Sequence, residues 1–351
     1  MKINSLVKTA LIFLAITHIL PADISAQKMH AGIIAFYNLE NLFDTIDTPD
    51  VKDSEFTTGG EKKWTSDRYW EKIDRLAKVI SKIGSNENIP GPAILGVSEI
   101  ENKSVLEDLV KSEHIKHLNY RIIHYNSPDK RGVDVALLFQ PRYFRVSNAR
   151  SVPLIIQGED GERVFTRDQL VVSGQFDGDT MHFIVNHWPS RYGGQERSAP
   201  LRNEAAKLSR YLLDSIKTIH PNDKVVIMGD LNDDPLNESI KKHLNATGSS
   251  KKIKENQLFN PMEDLFKKGI GSLAYMGKWN LFDQIIITPN FLDKKNDGYK
   301  FHSARIFNDP FLLQQTGRYK GYPNRTFVGN EYRAGFSDHL PVYILVLKEI
   351  E

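Results

Sequence analysis

Cysteine is absent from all 351 residues of this chain. Its absence excludes disulfide bonds, thiol nucleophiles and thiolate zinc sites. A fold without disulfide bonds depends on the size of its apolar core, and a chain of this length with 40% hydrophobic residues can build a large one. We therefore expect core packing alone to hold the fold.

The sequence also lacks an excess of charge of either sign. Lys and Arg together number 46 and Asp and Glu number 44, so the formal net charge is +2. This balance excludes the strongly basic character of many nucleic-acid-binding domains. Contact with a polyanion would have to depend on local basic patches, on a bound metal ion, or on both.

Long hydrophobic runs are scarce, and the clearest one lies near the N-terminus. Lys2 and Lys8 precede the apolar stretch Ala10–Leu20, and small residues follow it. The stretch is too short for a comfortable transmembrane span, which needs roughly 20 apolar residues. The pattern predicts a secretory signal peptide over residues 1–26, one domain over residues 27–351, and a secreted or periplasmic protein with no stable membrane insertion after cleavage. The alternatives are an uncleaved anchor or a buried helix.

Short apolar runs and helical periodicities alternate along the rest of the chain, which predicts an α/β fold. The helical pattern is clear over residues 66–83 and 201–219 and weaker over residues 101–111. The runs that predict buried strands are residues 33–36, 93–97, 133–139, 170–172, 181–185, 225–228, 284–287 and 342–347. No linker or repeat divides the chain.

Polar clusters stand at the ends of these apolar runs. They are Asn38 with Glu40, Glu99 with Glu101, His187, Asp230 with Asn232, Asp283, and Asp338 with His339. Each one alone has a structural explanation, such as a turn-forming Asn or a hydrogen-bonded core His. Six clusters in the same position relative to a strand are harder to explain in that way, because a rigid sheet is where ligand-binding and catalytic groups gather.

Two of these clusters belong to specific motifs. The segments Gly229–Asn232 and Ser337–His339, with Asn186–Arg191 between strands, make the chain resemble the endonuclease/exonuclease/phosphatase superfamily of DNase I-like metal phosphoesterases. The similarity extends from Asn38 to His339. It implies a four-layer α/β sandwich in which two mixed β-sheets pack face to face with helices outside.

The resemblance also implies roles for individual residues. Asp230 would orient or deprotonate the attacking water, and Asp283 would fix the imidazole of His339. The residues that would bind phosphate oxygens are Asn232, His187 and His339. The metal would be held by Glu99, Asn38 and Asp338, and the substrate would be contacted by Asn38, Arg131 and Arg191. Whether Glu101 shares the metal with Glu99, or Glu40 with Asn38, stays open, because residues two apart on a strand point to the same side.

The donor types favour a hard cation. Magnesium prefers a few oxygen ligands and keeps several waters, whereas zinc would call for clustered imidazoles or thiolates, which this sequence lacks. We therefore predict Mg²⁺ as the cofactor, with Mn²⁺ or Ca²⁺ as alternatives.

The predicted function is a secreted Mg²⁺-dependent phosphoesterase that hydrolyses phosphodiester bonds, with a nuclease as first choice and nucleic acid as its substrate. A sphingomyelinase or an inositol-phosphate phosphatase of the same fold is the alternative, and a non-catalytic binding module is a further one. Two polar segments, residues 44–63 and 309–334, are expected to be loops that shape specificity.

Overall fold

Two β-sheets form the centre of the protein in a computed structural model that describes residues 28–158, 160–254, 256–295 and 297–350. The predicted signal peptide, residues 1–26, lies outside the described residues, and its cleavage stays a prediction. Within the described residues, every helix is too short or too polar to cross a lipid bilayer.

The strands of the described residues are numbered along the chain. They are β1 (Met29–Leu42), β2 (Ile94–Ile100), β3 (Arg121–His124), β4 (Asp134–Phe139), β5 (Phe144–Val152), β6 (Ile156–Gln157), β7 (Arg163–Val164), β8 (Gln169–Phe176), β9 (Asp179–His187), β10 (Lys224–Asp230), β11 (Ala246–Thr247), β12 (Leu258–Phe259), β13 (Leu273–Tyr275), β14 (Lys278–Asn280), β15 (Asp283–Ile287), β16 (Lys300–Ile306), β17 (Phe327–Val328), β18 (Glu331–Tyr332) and β19 (Val342–Glu349).

Both large sheets mix parallel and antiparallel neighbours. The first sheet has the order β16-β19-β1-β2-β4-β3, and the second has the order β11-β12-β15-β10-β9-β8-β5. In the first, β1 runs parallel to β2 and antiparallel to β19. In the second, β10 runs parallel to β9 and antiparallel to β15. Three hairpins, β6-β7, β13-β14 and β17-β18, lie outside the sheets.

The sheets pack face to face through apolar side chains, which explains why the central strands read as continuous hydrophobic runs. Gly96 of β2 lies at a close approach of the two sheets. A Cβ at this position would lie 2.9 Å from the sulfur of Met228 on β10 and 3.0 Å from the ring of Phe36 on β1. A larger residue at position 96 would therefore push the two sheets apart.

Helices cover the outer faces of the two sheets. They are α1 (Ser66–Lys82), α2 (Lys103–Lys111), α3 (Gln195–Ile219) and α4 (Met262–Lys267), with short 3₁₀ helices at Ser54–Phe56, Ser85–Glu87, Lys116–Leu118, Pro289–Leu292 and Pro310–Leu312 and a π-helical turn at Ser239–His243. Apolar residues of α1 and α2 join the core of the first sheet, and Leu212 and Ile216 of α3 share a second core with Val225 and Ile227 of β10. The predicted four-layer α/β sandwich is therefore confirmed.

The helix boundaries differ from the sequence prediction mainly at α3. This helix begins at Gln195, not at residue 201, and it contains Pro200 near its start. Proline lacks an N–H, and near a helix N-terminus this loss is best tolerated. The first helix matches well, since it begins after Thr65, whose side chain caps the N–H of Arg68.

The two polar loops contact each other. Phe56 of the 44–63 loop and Trp64, which directly follows this loop, pack against Phe327 of the 309–334 loop, with ring centroids 6.3 and 5.7 Å apart. The indole N–H of Trp64 also donates to the carbonyl of Phe43 at 3.0 Å. An aromatic cluster thus fixes both loops beside the strand ends of the first sheet.

Candidate active site

The predicted site residues meet where strands of both sheets end. Asp230, at the end of β10, pairs in register with His187 on β9 and with Asp283 on β15. Asn38 on β1 lies beside Ser98 on β2 in the facing sheet. Strand pairing within each sheet and the face-to-face packing of the two sheets therefore bring together residues that are scattered over the chain.

Several residues of the site have a left-handed backbone. The φ angles are +48° for Glu40, +52° for Asn41, +58° for Glu99 and +50° for Asn232. Non-glycine residues rarely adopt this conformation, and such strain concentrates at functional sites. The backbone of β1 and of β2 is irregular here. Simple strand alternation therefore fails, and Glu101 does not share the environment of Glu99.

A cluster of the half-buried Glu99 with the buried residues His187 and Asp230 forms the centre of the site. The His187 Nε2 atom lies 3.7 Å from Glu99 Oε1 and 3.6 Å from Asp230 Oδ2. The side-chain amide of Asn38 donates to Asp230 Oδ2 at 3.0 Å, and the N–H of Asn41 donates to Glu99 Oε2 at 3.0 Å. Ligand atoms of the three clustered residues all lie within 4.8 Å of one another, which is close enough to surround one small cation.

His339 lies next to this cluster and is held by a second carboxylate. Its Nδ1 atom is 2.6 Å from Asp283 Oδ2, and the hydroxyl of Ser272 donates to the same oxygen at 2.5 Å. Its Nε2 atom faces Asp230 Oδ2 at 3.8 Å. Burial lowers the pKa of His339, but the two carboxylates outweigh burial and raise the pKa well above its usual value. His339 is therefore a cation at neutral pH.

The pKa of His187 is shifted in the opposite direction. Burial is the main cause that lowers its pKa well below the usual value, and the nearby positive charges of Arg167, Arg131 and His339 lower it further. His187 is therefore neutral at pH 7. Arg167 also fixes the backbone here, because its Nε donates to the carbonyl of His187 at 3.1 Å.

Asp230 lies between the two imidazoles. The pKa of Asp230 is raised to about 6. Burial is the largest cause; the His339 cation opposes the rise, and the negative charges of Asp283 and Glu99 add to it. A carboxylate with such a pKa can accept a proton near neutral pH. The N–H of Asn232 donates to Asp230 Oδ1 at 3.0 Å and fixes the carboxylate plane.

The side chain of Asn232 already makes a hydrogen bond within the protein. Its side-chain amide donates to the carbonyl of Trp188 at 3.0 Å, and the residue is 8% exposed. One amide hydrogen is thus directed away from the cluster. Asn232 lies where the sequence predicts it, and its expected contact with phosphate stays a prediction.

The second glutamate of each pair supports a loop. Glu101 accepts from the N–H of Asp44 at 2.6 Å and from the hydroxyl of Thr48 at 3.0 Å, so it holds the 44–63 loop. Glu40 accepts from the N–H of Thr326 at 2.7 Å, so it holds the 309–334 loop. This geometry favours Glu99 and Asn38 as metal ligands over their neighbours.

Asp338 is paired with an arginine that the sequence analysis missed. Arg325 donates to Asp338 Oδ2 at 2.9 Å and to Glu40 Oε1 at 3.2 Å. Among the described residues, Asp338 belongs to neither group whose ligand atoms lie within 4.8 Å. Its predicted role as a metal ligand therefore finds no support in this geometry. No motif marks Arg325, and only its position in an Arg- and Tyr-rich loop points to it.

A buried lysine completes the support on this side. Lys72 of α1 donates to the carbonyl of Glu40 and to the hydroxyl of Thr326, both at 2.6 Å. Burial lowers its pKa to about 8. Lys72 thus ties the end of β1 to the 309–334 loop.

The two arginines predicted to contact substrate have different surroundings. Arg191 donates to Asp233, Asp234 and Asn237 and to the carbonyl of Asn232. Its guanidinium stabilises the loop after β10, and the geometry gives no support to a substrate contact. Arg131 is exposed and lies close enough to affect the charge of His187. Its position fits the predicted contact.

The fold and the site together define a phosphoesterase class of protein. A sequence profile of the endonuclease/exonuclease/phosphatase family matches residues 33–348. The chain therefore belongs to the endonuclease/exonuclease/phosphatase family. A search of curated protein sequences gives no match.

Solved structures agree on the fold. A family protein from Bacteroides thetaiotaomicron superimposes with a TM-score of 0.53 at 16% identity, covering 92% of this chain and 100% of the other. D. rerio TDP2 complexed with a single-strand DNA product gives 0.53 at 13% identity, covering 90% and 98%. A mannosyl-6-phosphatase of Bacteroides thetaiotaomicron VPI-5482 gives 0.51 at 16% identity, covering 90% and 98%. At these identities the likeness concerns the fold alone.

Proposed function

We propose that this protein is a secreted, Mg²⁺-dependent phosphodiesterase and that its substrate is nucleic acid. The observation that carries the proposal is the geometry of Glu99, His187, Asp230 and His339, whose ligand atoms lie in two groups that share Asp230. Hydrolysis of a phosphodiester requires an activated water and donors for the charge that develops on phosphate oxygens.

The side chains present fit a hard divalent cation. Glu99 has an oxygen 3.7 Å from His187 Nε2, and the amide oxygen of Asn38 keeps a free lone pair beside the bond it accepts from Glu40. Oxygen donors of this kind and number suit Mg²⁺, which keeps several waters. Glu99 and Asn38 would hold the ion, and when bound it would polarise the phosphoryl group and acidify water.

The chain's own residues supply the remaining functions. Asp230 accepts a proton from water, because its pKa of about 6 leaves it ionised at neutral pH. His339, as a cation, donates to a non-bridging oxygen, and neutral His187 offers a further hydrogen bond. Asp283 accepts the Nδ1–H of the His339 imidazolium and so directs its Nε2–H toward Asp230.

The choice of a diester over a monoester follows the resemblance of the segment Asn186–Arg191 to secreted nucleases of the family. The DNA product bound by the fish neighbour adds modest support. The sugar-phosphatase neighbour keeps a phosphomonoesterase as the second candidate. A sphingomyelinase would require an apolar membrane-facing loop; Trp64 is buried, but Trp70 is 50% exposed, so sphingomyelin belongs among the substrates assayed.

The catalytic part of the proposal is tested with the protein lacking residues 1–26 and a generic diester, bis(p-nitrophenyl) phosphate. Activity should require Mg²⁺ and disappear with chelator. Glu99→Ala and His339→Ala should each lower kcat/KM by about a hundredfold or more. Tyr211→Ala, an exposed change on α3, is the control and should retain full activity. Losses of less than a few-fold in both site variants would refute the assignment.

Secretion is tested separately. The full chain is expressed in a Gram-negative host, and the N-terminus of the exported protein is sequenced. We expect Gln27 as the first residue. Retention of residues 1–26 in an exclusively cytoplasmic protein would contradict this part of the proposal.

A further inference from the structure

We infer that the substrate is a single strand of nucleic acid that crosses the site between two aromatic grooves, one on each side of the scissile phosphate. The inference rests on the proposed function and deepens it, because it assigns the groups that bind the substrate on either side of the cleaved bond. The first groove lies near the start of β4 and the second near the start of β19.

The order of the strands places the grooves on opposite sides of the cluster. In the first sheet, β1 and β2, which carry Asn38 and Glu99, lie between β19 and β4. Neighbouring strands are about 4.8 Å apart, so three steps separate the two flanks by roughly 14 Å. A substrate must have several linked units to contact both flanks, and a small monoester can contact only one.

The first groove, a cavity of about 750 Å³, is lined by Phe165, Tyr192, Lys130 and Arg163. Tyr192 is 93% exposed, which is unusual for a large aromatic side chain. Lys130 and Arg163 lie over the ring of Phe165, 5.8 and 4.8 Å from its centroid.

A series of hydrogen bonds links the first groove to the site. Lys130 follows Asp129, whose carboxylate accepts from Arg167 at 2.9 Å, and Arg167 donates to the carbonyl of His187. Asp160 and Glu162 also line the groove. Stacking, more than net positive charge, is therefore expected to dominate binding there.

The second groove, a cavity of about 550 Å³, is lined by Tyr275, Met276, Tyr319 and Tyr322, with Arg325 and Asp338 among its walls. Tyr275 and Met276 form the tip of the β13-β14 hairpin and are 67% and 82% exposed. The hydroxyl of Tyr322 accepts from the N–H of Gly277 at 2.8 Å, so the hairpin and the 309–334 loop form one wall.

The second groove borders the site at Asp338, one of the residues that line it. Arg325 pairs with Asp338, and Asp338 immediately precedes His339. A group bound in this groove is thus adjacent to the donor that faces the phosphate.

Exposed aromatic rings combined with Arg and Lys are the arrangement that binds single-stranded nucleic acid, because every base has a face that can stack. The near-zero net charge of the chain agrees with this mode, since stacking needs no large basic surface. Duplex DNA presents no free base faces. The inference therefore predicts a preference for single strands.

The test compares Tyr192→Ala and Tyr275→Ala with Tyr211→Ala, an equally exposed tyrosine change on α3 outside both grooves. KM is measured with Mg²⁺ for a twelve-nucleotide single strand and for bis(p-nitrophenyl) phosphate. Stacking is worth about 1–3 kcal/mol per base, so each groove variant should raise KM for the oligonucleotide at least about fivefold more than KM for the small diester. Binding of a fluorescein-labelled oligonucleotide with chelator present, followed by anisotropy, should weaken by a similar factor. The control should change neither quantity.

The outcomes separate the inference from the function on which it rests. If the wild type hydrolyses no phosphoester, the proposed function fails and the inference with it. If it hydrolyses the small diester but the groove variants leave oligonucleotide KM and binding unchanged, the inference alone is overturned. Preferential turnover of a sugar phosphate, of sphingomyelin or of duplex DNA over the single strand also overturns the inference.

Discussion

Replacing Asp283 by Asn tests the central electrostatic argument. The side chain of Asp283 is fully buried, and its Oδ2 atom is 2.6 Å from the Nδ1 atom of His339. The amide oxygen of Asn can still accept a hydrogen bond from the Nδ1–H of His339, but Asn carries no charge. The variant therefore removes the attraction between a carboxylate and an imidazolium while it keeps the shape of the site.

The magnitude follows from the kind of bond that is lost. A hydrogen bond to a charged group contributes about 1.5–3 kcal/mol, which corresponds to roughly 10- to 160-fold in kcat/KM. Ser272→Ala is the matched control, because it removes a neutral donor from the same Asp283 oxygen. Ser272→Ala leaves the charged carboxylate of Asp283 beside His339, so this variant should lose less kcat/KM than Asp283→Asn.

The pH profile provides a second readout. The pKa of His339 is raised in the folded protein, so its cation persists to high pH, and activity that needs the cation is lost only as pH rises through that pKa. Without the charge of Asp283 the pKa falls, and the alkaline loss should begin at lower pH. The same sign applies to stability, since the His339 contribution is complete at low pH and disappears as pH rises.

The assay is kcat/KM for bis(p-nitrophenyl) phosphate between pH 5 and 10, with circular dichroism to verify folding. Two results would refute the reasoning. One is an Asp283→Asn enzyme with wild-type kcat/KM and an unmoved alkaline limb. The other is a Ser272→Ala variant that loses as much activity as Asp283→Asn while both remain folded.

Further predictions concern the residues around the cluster. Arg191→Ala should lower the melting temperature by several degrees, because it removes the arginine that pairs with Asp234 and that shares Asp233 with Arg202. Arg131→Ala should chiefly raise KM, and equal melting temperatures of the two variants in a thermal scan would contradict this. Burial raises the pKa of Glu101 to about 7, so the folded state binds its proton more tightly than the unfolded state and the ionised carboxyl costs stability as pH rises from about 5 to 8. Glu101→Gln should therefore gain stability relative to the wild type over that range in urea titrations, and a difference that is constant with pH would exclude this explanation. Arg325→Ala should lower kcat/KM roughly tenfold or more, since it unpairs Glu40 and Asp338, and an unchanged value would assign Arg325 no role.

The central strands and the core of the site could be predicted from the sequence because each carries a local signal. The segment Val225–Met228 has the apolar composition that predicts a buried strand, and the Gly-Asp-Leu-Asn motif follows it directly. The strands β5 and β16 were missed. Each lies at an edge of its sheet, where half-exposed positions hold polar residues that interrupt an apolar run.

The supporting residues could not be predicted, because their contacts are distant in sequence. Arg325 reaches Glu40 across 285 positions, and Lys72 reaches Thr326 across 254. The left-handed φ of Glu99 also has no sequence signal, since glycine and asparagine are its usual markers. The assumption that Glu99 and Glu101 share a face was wrong for this reason.

The pairing of β1 with β19 has a consequence for biosynthesis. The hydroxyl of Ser337 donates to the carbonyl of Asn38 across 299 positions. Strand β1 therefore cannot complete its pairing until β19 has been synthesised. A nascent polypeptide on the ribosome lacks this closure and therefore has no assembled catalytic centre. The order of the strands thus delays assembly of the site until Ser337 and β19 have been synthesised.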